Sequence, residues 1–371
     1  MKNSPIFLTF AEINFGRMAL HNRVNKKELK ARLQQDTTPR KTISFYRYVI
    51  LPETQTLRNE LYALWNAWGI LGRIYLAYEG INAQMSIPLA HYDQFINYLN
   101  STPEFAQMPI KEGVEDDGKS FYKLAIKVRK KIVADGLADN TFDVTNVGTH
   151  LTAEEFNRAM DLPDTIVVDL RNHYESEIGH FEGAILPQAD TFREELPMVV
   201  EQLKDKKDKK VLLYCTGGVR CEKASAYLKH EGFEDVNQLH GGIIEYAKEI
   251  KRKGIPSKFK GKNFVFDERL GERITSDVIA HCHQCGQSCD QHTNCANDDC
   301  HLLFIQCDNC KETMEGCCST ACIDIIHLPL EEQVKLRRGR KKTDSLSVYK
   351  SRLRPNLSEM IKNRMVMVKK S

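Results

Sequence analysis

Between the apolar run Val211-Leu212-Leu213-Tyr214 and the helix-forming stretch Glu222 to His230, the chain has room only for Cys215-Thr216-Gly217-Gly218-Val219-Arg220 and Cys221. A short apolar run reads as a buried strand, and paired glycines force a tight turn into the following helix. A cysteine at such a turn faces backbone N–H groups and the positive end of a helix dipole, both of which favour thiolate over thiol. A free thiol of pKa about 8.5 is only a few per cent ionised at neutral pH, whereas cysteines at helix N-termini fall to roughly 3.5 to 7.5. Each unit lowered is about 1.4 kcal/mol in favour of the anion. Cys215 is therefore the candidate nucleophile, with Thr216, Gly217, Gly218 and Val219 as loop backbone and Arg220 as the neighbouring cation.

Loop length separates two chemistries. A Cys-x5-Arg turn is wide enough for a phosphate, but here Arg220 follows Cys215 after four residues, and position 221 is Cys221. The smaller ring suits one added sulfur atom, a persulfide on Cys215. A small buried cysteine in a turn would explain neither the glycines nor the arginine. Cys221 is a possible second thiol, able to receive sulfur or to resolve an oxidised Cys215; a small residue packed at a helix start is the equal alternative.

Ile166-Val167-Val168-Asp169-Leu170-Arg171 reads as a second buried strand ending in charge, and Gly179-His180-Phe181-Glu182-Gly183-Ala184 begins a turn into a third. These strings resemble the rhodanese domain, in which an Asp-x-Arg strand end and a Gly-His-x-x-Gly-Ala turn accompany a catalytic cysteine loop. The resemblance implies that Asp169 braces the loop through hydrogen bonds and that His180 is structural. For Asp169 and Arg171, loop support outweighs direct chemistry, with a surface ion pair as the plainer reading.

At 371 residues and 42% hydrophobic content, two or three domains are expected. No apolar stretch is long enough to span a bilayer, and Ile6 to Phe10 is short and lacks a cleavage pattern, so a cytoplasmic location is expected. There the twelve cysteines would serve as thiols, catalysts or metal ligands, not disulfides. A net charge of +3 does not announce nucleic acid, which would have to bind through local patches.

The first third reads as strand 42–51, helix 53–68, strand 73–78, strand 81–87, helix 89–100 and strand 121–133. That βαββαβ order is ferredoxin-like. Phe45, Tyr46 and Tyr48 have the composition of a base-stacking platform, but aromatics in a half-buried strand more often pack a core, and packing is expected for most of them. Turn-forming residues from Asp135 to Gly148 read as a linker. From Leu151 onward helices 153–160, 192–203, 222–230 and 243–253 alternate with strands 166–170, 211–214 and 236–239, predicting a parallel α/β sheet with the active loop at the carboxyl end of a central strand.

Ten of the twelve cysteines lie between Cys282 and Cys322: Cys282, Cys285, Cys289, Cys295, Cys300, Cys307, Cys310, Cys317, Cys318 and Cys322. Two Cys-x2-Cys pairs, 282/285 and 307/310, have the spacing of a structural zinc site, because a two-residue gap lets two thiolates converge on one tetrahedral ion. The remaining cysteines suffice for a second site whose pairing the spacing leaves open. Zinc stands ahead of an iron–sulfur cluster and of disulfides. Structural zinc contributes about 10 to 16 kcal/mol in isolated fingers, so the region is expected to need its metal to fold.

Longer strings extend the likeness. Thr42-Ile43-Ser44-Phe45-Tyr46, Glu79-Gly80-Ile81-Asn82-Ala83, Asp117-Gly118-Lys119-Ser120-Phe121, the run Cys215 to Ser225, Gly241-Gly242-Ile243-Ile244-Glu245-Tyr246, Gly261 to Asp267 and Cys295 to Cys307 together resemble the bacterial tRNA uridine-34 hydroxylase family over residues 21–322. The resemblance implies an acylphosphatase-like N-terminal domain, a rhodanese domain and a cysteine-rich C-terminal region. It also implies molecular oxygen as co-substrate, tRNA as partner through its anticodon loop, and an active cysteine at Cys215. On this reading 1–37 is an extension, 38–134 the ferredoxin-like domain, 135–148 the linker, 149–260 the rhodanese domain, 261–328 the cysteine-rich region and 329–371 a basic tail. Three functions compete: tRNA hydroxylase, rhodanese-type sulfurtransferase using the same Cys215, and a zinc-held RNA-binding adaptor. Among the basic runs 129–131, 204–210 and 335–342, the last, with Arg337, Arg338, Arg340, Lys341 and Lys342 in a polar flexible tail, is the best candidate for phosphate contacts.

Overall fold

The computed structural model describes residues 24–138 and 141–339, which divide into two units meeting at Ile132 and Val133. In the first unit, α1 (Lys26–Gln35) precedes β1 (Arg40–Tyr48), α2 (Thr54–Ala67), β2 (Leu71–Ala77), β3 (Gly80–Pro88), α3 (Tyr92–Ser101), β4 (Lys111–Glu112) and β5 (Leu124–Val128). The sheet order is β4-β1-β3-β2-β5, with β3 antiparallel to both β1 and β2. The ferredoxin-like βαββαβ order is present, with one correction. The closing strand beside β1 is the two-residue β4, while the expected last strand, shortened to β5, lies on the opposite edge and runs parallel to β2. The strand at 111–112 is too short to leave a period-two signature.

Period-two alternation puts Ile43, Phe45, Ile74, Leu76, Ile81, Ala83, Met85 and Ile126 in the core under α2 and α3. Trp65 of α2 packs on Phe95 of α3 at 5.7 Å between ring centroids, and Phe95 on Phe45 at 6.2 Å. Such pairs add about 0.5–1.5 kcal/mol beyond area burial. Phe45 is thus a core residue as expected, whereas Tyr46 and Tyr48 fall on the other face of β1.

The second unit runs β6 (Thr149–Leu151), α4 (Ala153–Met160), β7 (Ile166–Asp169), α5 (His173–Ser176), β8 (Gly179–Phe181), α6 (Phe192–Leu203), β9 (Lys210–Tyr214), α7 (Val219–His230), β10 (Asp235–Leu239) and α8 (Gly242–Lys253). There follow β11 (Phe259–Asn263), β12 (Glu272–Arg273), β13 (His292–Asn294), β14 (Leu303–Ile305), α9 (Asp308–Thr313), α10 (Thr320–Ile326) and α11 (Leu330–Gly339). The main sheet is parallel, in the order β6-β10-β9-β7. On β9, Val211 and Leu213 pack with Leu196 and Val199 of α6 and Ala224 and Leu228 of α7, while Leu212 and Tyr214 pack with Phe156 of α4 and Ile243 and Tyr246 of α8. A strand buried on both faces must be apolar throughout, which is why this one reads as a continuous run.

The strand expected after Gly183 shrinks to a single parallel bridge, Val168 to Ile185, and β8 instead pairs antiparallel with β11 in a small separate sheet. The segment read as a linker packs on the second unit. Asp135 forms a 2.8 Å ion pair with Lys223 in which both side chains are 1% exposed. Phe142 meets Tyr227 edge-on at 5.4 Å. The expected polar tail is also revised: Leu330–Gly339 is α11, with Glu331 and Glu332 in its first turn and Arg337 and Arg338 in its last, the arrangement a helix dipole favours. Among the described residues, no helix is long and apolar enough to cross a membrane.

Candidate active site and metal centres

Cys215 follows β9 directly, at the carboxyl end of the strand between β10 and β7, and its side chain is fully buried. The turn wraps its sulfur. Gly218 takes a positive φ of 98° and donates its N–H to Cys215 Sγ at 3.1 Å. From the other side, α8 holds the loop by its first amides: Ile243 N–H donates to the Cys215 carbonyl at 3.0 Å and Ile244 N–H to the Thr216 carbonyl at 3.2 Å. Gly242 permits that approach, since a Cβ there would lie 2.6 Å from the Cys215 carbonyl oxygen and its φ is +68°.

Burial by itself would raise the Cys215 thiol. Against it act a hydrogen bond from the Cys221 thiol, the Arg220 charge and the N–H groups of Cys221 and Arg220, and together they bring it down to about 5. Burial and the adjacent Cys215 anion push Cys221 well up, so that it stays a thiol and donates. Of its two sequence readings, packing at the helix start is what the geometry displays, together with an S–H donor to Cys215.

Arg220 does not reach out of the loop. Its guanidinium is locked in a two-pronged pair with Glu175, 2.8 Å to Oε1 and 2.9 Å to Oε2, and also donates to Thr216 Oγ1 at 3.3 Å. Glu175 is 0% exposed and its Oε1 also accepts the Asn172 N–H at 3.1 Å. Asp169 and Arg171 form a second buried pair, both 0% exposed, with Nε to Oδ1 at 2.8 Å and Nη2 to Oδ2 at 2.6 Å. The Tyr214 hydroxyl donates to Asp169 Oδ2 at 2.7 Å. Asp169 therefore acts on the residue before Cys215, not on the turn itself, and the surface-pair alternative does not hold. His180 Nδ1 lies 2.8 Å from the Ser176 carbonyl, a structural contact.

Two acids of this site are absent from the sequence reading. Glu175 was signalled by Asn172-x-x-Glu175 at the start of a helix. Glu195 was signalled by an acidic residue on the apolar face of α6, between Phe192 and Val199. Glu195 is 0% exposed and neither carboxyl oxygen has a hydrogen-bond partner among the described residues. Burial holds its pKa well above the usual carboxylate range; Arg220 opposes this, while the charges of Asp169, Glu175 and Cys215 add to it.

Eight of the ten clustered cysteines fall into two sets of four. Cys282, Cys285, Cys307 and Cys310 bring their sulfurs within 4.8 Å of one another, as do Cys295, Cys300, Cys318 and Cys322, and each set could hold a metal ion. The two Cys-x2-Cys pairs converge, as their spacing predicted. Cys289 and Cys317 belong to neither set. Cys307 N–H donates to Cys282 Sγ at 3.4 Å and Asn297 Nδ2 to Cys322 Sγ at 3.4 Å, donors that favour thiolates. Gln284 links the sets, its amide donating to the Cys317 carbonyl at 3.0 Å. Of the basic tail, Arg337 bonds the Gln333 carbonyl at 3.3 Å within α11 and Arg338 is exposed; Arg340, Lys341 and Lys342 lie outside the described residues. The run 204–210 is largely committed within the molecule, for example Lys210 to Asp235 at 2.6 Å.

A caged cysteine at the end of a central parallel strand, over a buried Asp–Arg pair, defines a rhodanese-type protein, and a rhodanese-like domain model matches residues 152–249. A UPF0176 acylphosphatase-like domain matches 40–132 and a rhodanese C-terminal model 260–323. The chain is 59% identical over 341 residues to the tRNA uridine(34) hydroxylase of Leptospira interrogans serogroup Icterohaemorrhagiae serovar Lai, covering 92% of this chain and 93% of that one. It is 56% identical over 323 residues to that of Pectobacterium carotovorum subsp. carotovorum and 55% over 323 residues to that of Yersinia pestis, in each case covering 87% of this chain and 91% of the relative. This chain belongs to the tRNA uridine(34) hydroxylase family.

A thiolate forms above the pKa, so the rate of Cys215 alkylation should rise through pH 5 and be flat by pH 7, with a midpoint of about 5. Cys221→Ala removes one donor to the anion and should move that midpoint up by about one to two units. A wild-type midpoint near the ordinary value of about 8.5 would contradict the cage.

Proposed function

We infer that this chain hydroxylates C5 of uridine 34 in tRNA, with Cys215 as the covalent catalyst. The carrying observation is a buried Cys215 sulfur that accepts the Gly218 N–H at 3.1 Å at the end of β9, in a chain 59% identical, over 92% of its length, to a tRNA uridine(34) hydroxylase. A thiol of low pKa is a moderate nucleophile and a good leaving group. That balance suits a sulfur that must add to a ring and then depart.

The Cys215 thiolate forms a bond to C6 of the uracil, and the C5–C6 π pair moves onto the C4 carbonyl as an enolate, making C5 electron-rich. C5 takes one oxygen atom of molecular oxygen; the other leaves as water, with two electrons and two protons from an external reductant. C5 then loses its proton and the C6–S bond breaks, returning the thiolate to its N–H donors. Arg220, fixed by Glu175, supplies the positive charge that favours the departing sulfur, and Asp169 with Arg171 holds Tyr214 and so the base of the turn. An anticodon loop presents position 34 unpaired, which spares the cost of opening a duplex. The site of action is the cytoplasm, where tRNA is modified.

Zinc fits both cysteine sets. Tetrahedral zinc with Zn–S about 2.3 Å requires sulfurs about 3.8 Å apart. The pairs Cys285–Cys307, Cys300–Cys318 and Cys318–Cys322 stand at 3.6, 3.6 and 3.8 Å. Four thiolates so close repel one another strongly unless a cation lies between them. Zinc there would be structural, with every ligand position filled by protein.

Nucleoside mass spectrometry of tRNA from a Cys215→Ala strain should find 5-hydroxyuridine absent; undiminished 5-hydroxyuridine would overturn the role, and thiolated uridine lost in its place would identify a sulfurtransferase. Elemental analysis of the purified protein should give about two zinc ions per chain. Stripping them should expose residues 282–322 to proteolysis, and a metal-free protein that resists digestion there would contradict the assignment.

A further inference from the structure

In the first unit α2 and α3 cover one face of the sheet, and the side chains on the other face form a pattern of their own. Because residues paired across strands share a face, the register Tyr46↔Asn82, Asn82↔Tyr75 and Tyr75↔Lys127 lays two aromatic rings and a lysine in one row across four strands. The next row reads Lys111, Ser44, Gln84, Arg73. Along β5 and its flanks the same face carries Lys123, Lys127 and Arg129, all exposed, as is Arg73. Tyr46 and Tyr75 are partly buried, and each has a cation over its ring: Lys111 Nζ at 4.6 Å and Arg129 Cζ at 5.7 Å.

Folding alone does not account for this face. Lys123, Lys127 and Arg129 have no carboxylate ion-pair partner among the described residues, and the Lys127 ammonium is depressed, first by burial and then by the charges of Arg129, Arg73 and Lys123. Lys123, Lys127 and Arg129, strung along the β5 edge, repel one another and favour an anion that lies across them. The Tyr46 and Tyr75 rings offer stacking surface, Gln84 offers amide donors and acceptors for base edges while the Asn82 amide donates to the Ile132 carbonyl at 3.4 Å, and the cations suit phosphates.

We propose that the sheet face opposite α2 and α3 is a single-stranded RNA platform, on which Tyr46 and Tyr75 stack bases while Arg73, Lys123, Lys127 and Arg129 hold the phosphates. Its occupant is the anticodon loop of the tRNA substrate, an identification that rests on the hydroxylase reading. The expectation that the aromatics of β1 serve mainly as packing applies to Phe45; Tyr46 shares its face with polar side chains and cations.

The test uses the full chain and a synthetic anticodon stem-loop in an anisotropy titration over a range of salt. Tyr75→Ala should weaken binding roughly tenfold, whereas Tyr75→Phe, which keeps the ring, should bind as wild type. Lys127→Glu with Arg129→Glu should reduce the slope of log K against log salt by about two, one per cation. The Cys215 alkylation rate and the melting temperature should match wild type in every variant, because these side chains lie outside the core. Variants that bind the stem-loop with wild-type affinity and salt slope would overturn the platform, including the case in which they lose an acidic protein partner instead. Wild-type protein that forms 5-hydroxyuridine, alongside variants that do so with unchanged KM, would reject the platform and leave the hydroxylase reading standing. Binding that falls in the variants while wild type forms no 5-hydroxyuridine would reject the hydroxylase reading and keep the platform.

Discussion

A negative sulfur buried out of water is the constraint around which the second unit is arranged. An unpaired buried charge costs several kcal/mol, so its existence requires donors already in place. Here they are the amides of the turn and the Cys221 thiol, with the charge of the Arg220 guanidinium beside them. None is free to relax. The turn is held by the first amides of α8 through Gly242, and Arg220 is fixed by the two-pronged pair with Glu175. Tyr214, one residue before the sulfur, is tied to Asp169 and through it to Arg171. Donors that need no reorganisation when charge moves on or off the sulfur are what reversible covalent catalysis demands.

Much of this was legible because the signals are local. A four-residue apolar run, two glycines and an arginine define strand, turn and helix within a dozen positions, and α4 and α6 fall on the expected residues because their apolar spacing is regular. The Asp-x-Arg strand end marks Asp169 and Arg171 as loop support; in the structure they pair with each other, and Asp169 accepts the Tyr214 hydroxyl. What escaped depends on contacts far along the chain. Glu175 meets Arg220 across 45 residues, and Glu195 is recognisable only once α6 is packed with its apolar face inward. The pairing of Cys295 and Cys300 with Cys318 and Cys322 needs α10 to fold back on the hairpin, which spacing does not encode. The first unit's edge strands were misread for a related reason: two residues in β4 cannot show a period, and β5 has one wherever it pairs.

Three regions of the chain solve the burial problem by different means. The first unit relies on aromatic packing between α2, α3 and one face of the sheet. The rhodanese-like region buries a parallel sheet on both faces. The cysteine-rich region has two small apolar clusters, one of which takes in Tyr174 and Ile178 of the rhodanese-like region, and both include cysteines of the two sets that could hold a metal ion. Gln284, between Cys282 and Cys285 of one set, donates its amide to the carbonyls of Cys317 and Cys318, the latter a member of the other set.

The central claim, that the Cys215 sulfur bonds to the wobble base, is open to direct capture. A tRNA carrying 5-fluorouridine at position 34 has no C5 proton to lose, so once C5 is oxygenated the C6–S bond cannot break with restoration of the ring. Mass spectrometry of the denatured reaction should find the RNA joined to the peptide that contains Cys215. Recovery of modified RNA with no such adduct, or with the adduct on another residue, would contradict the account.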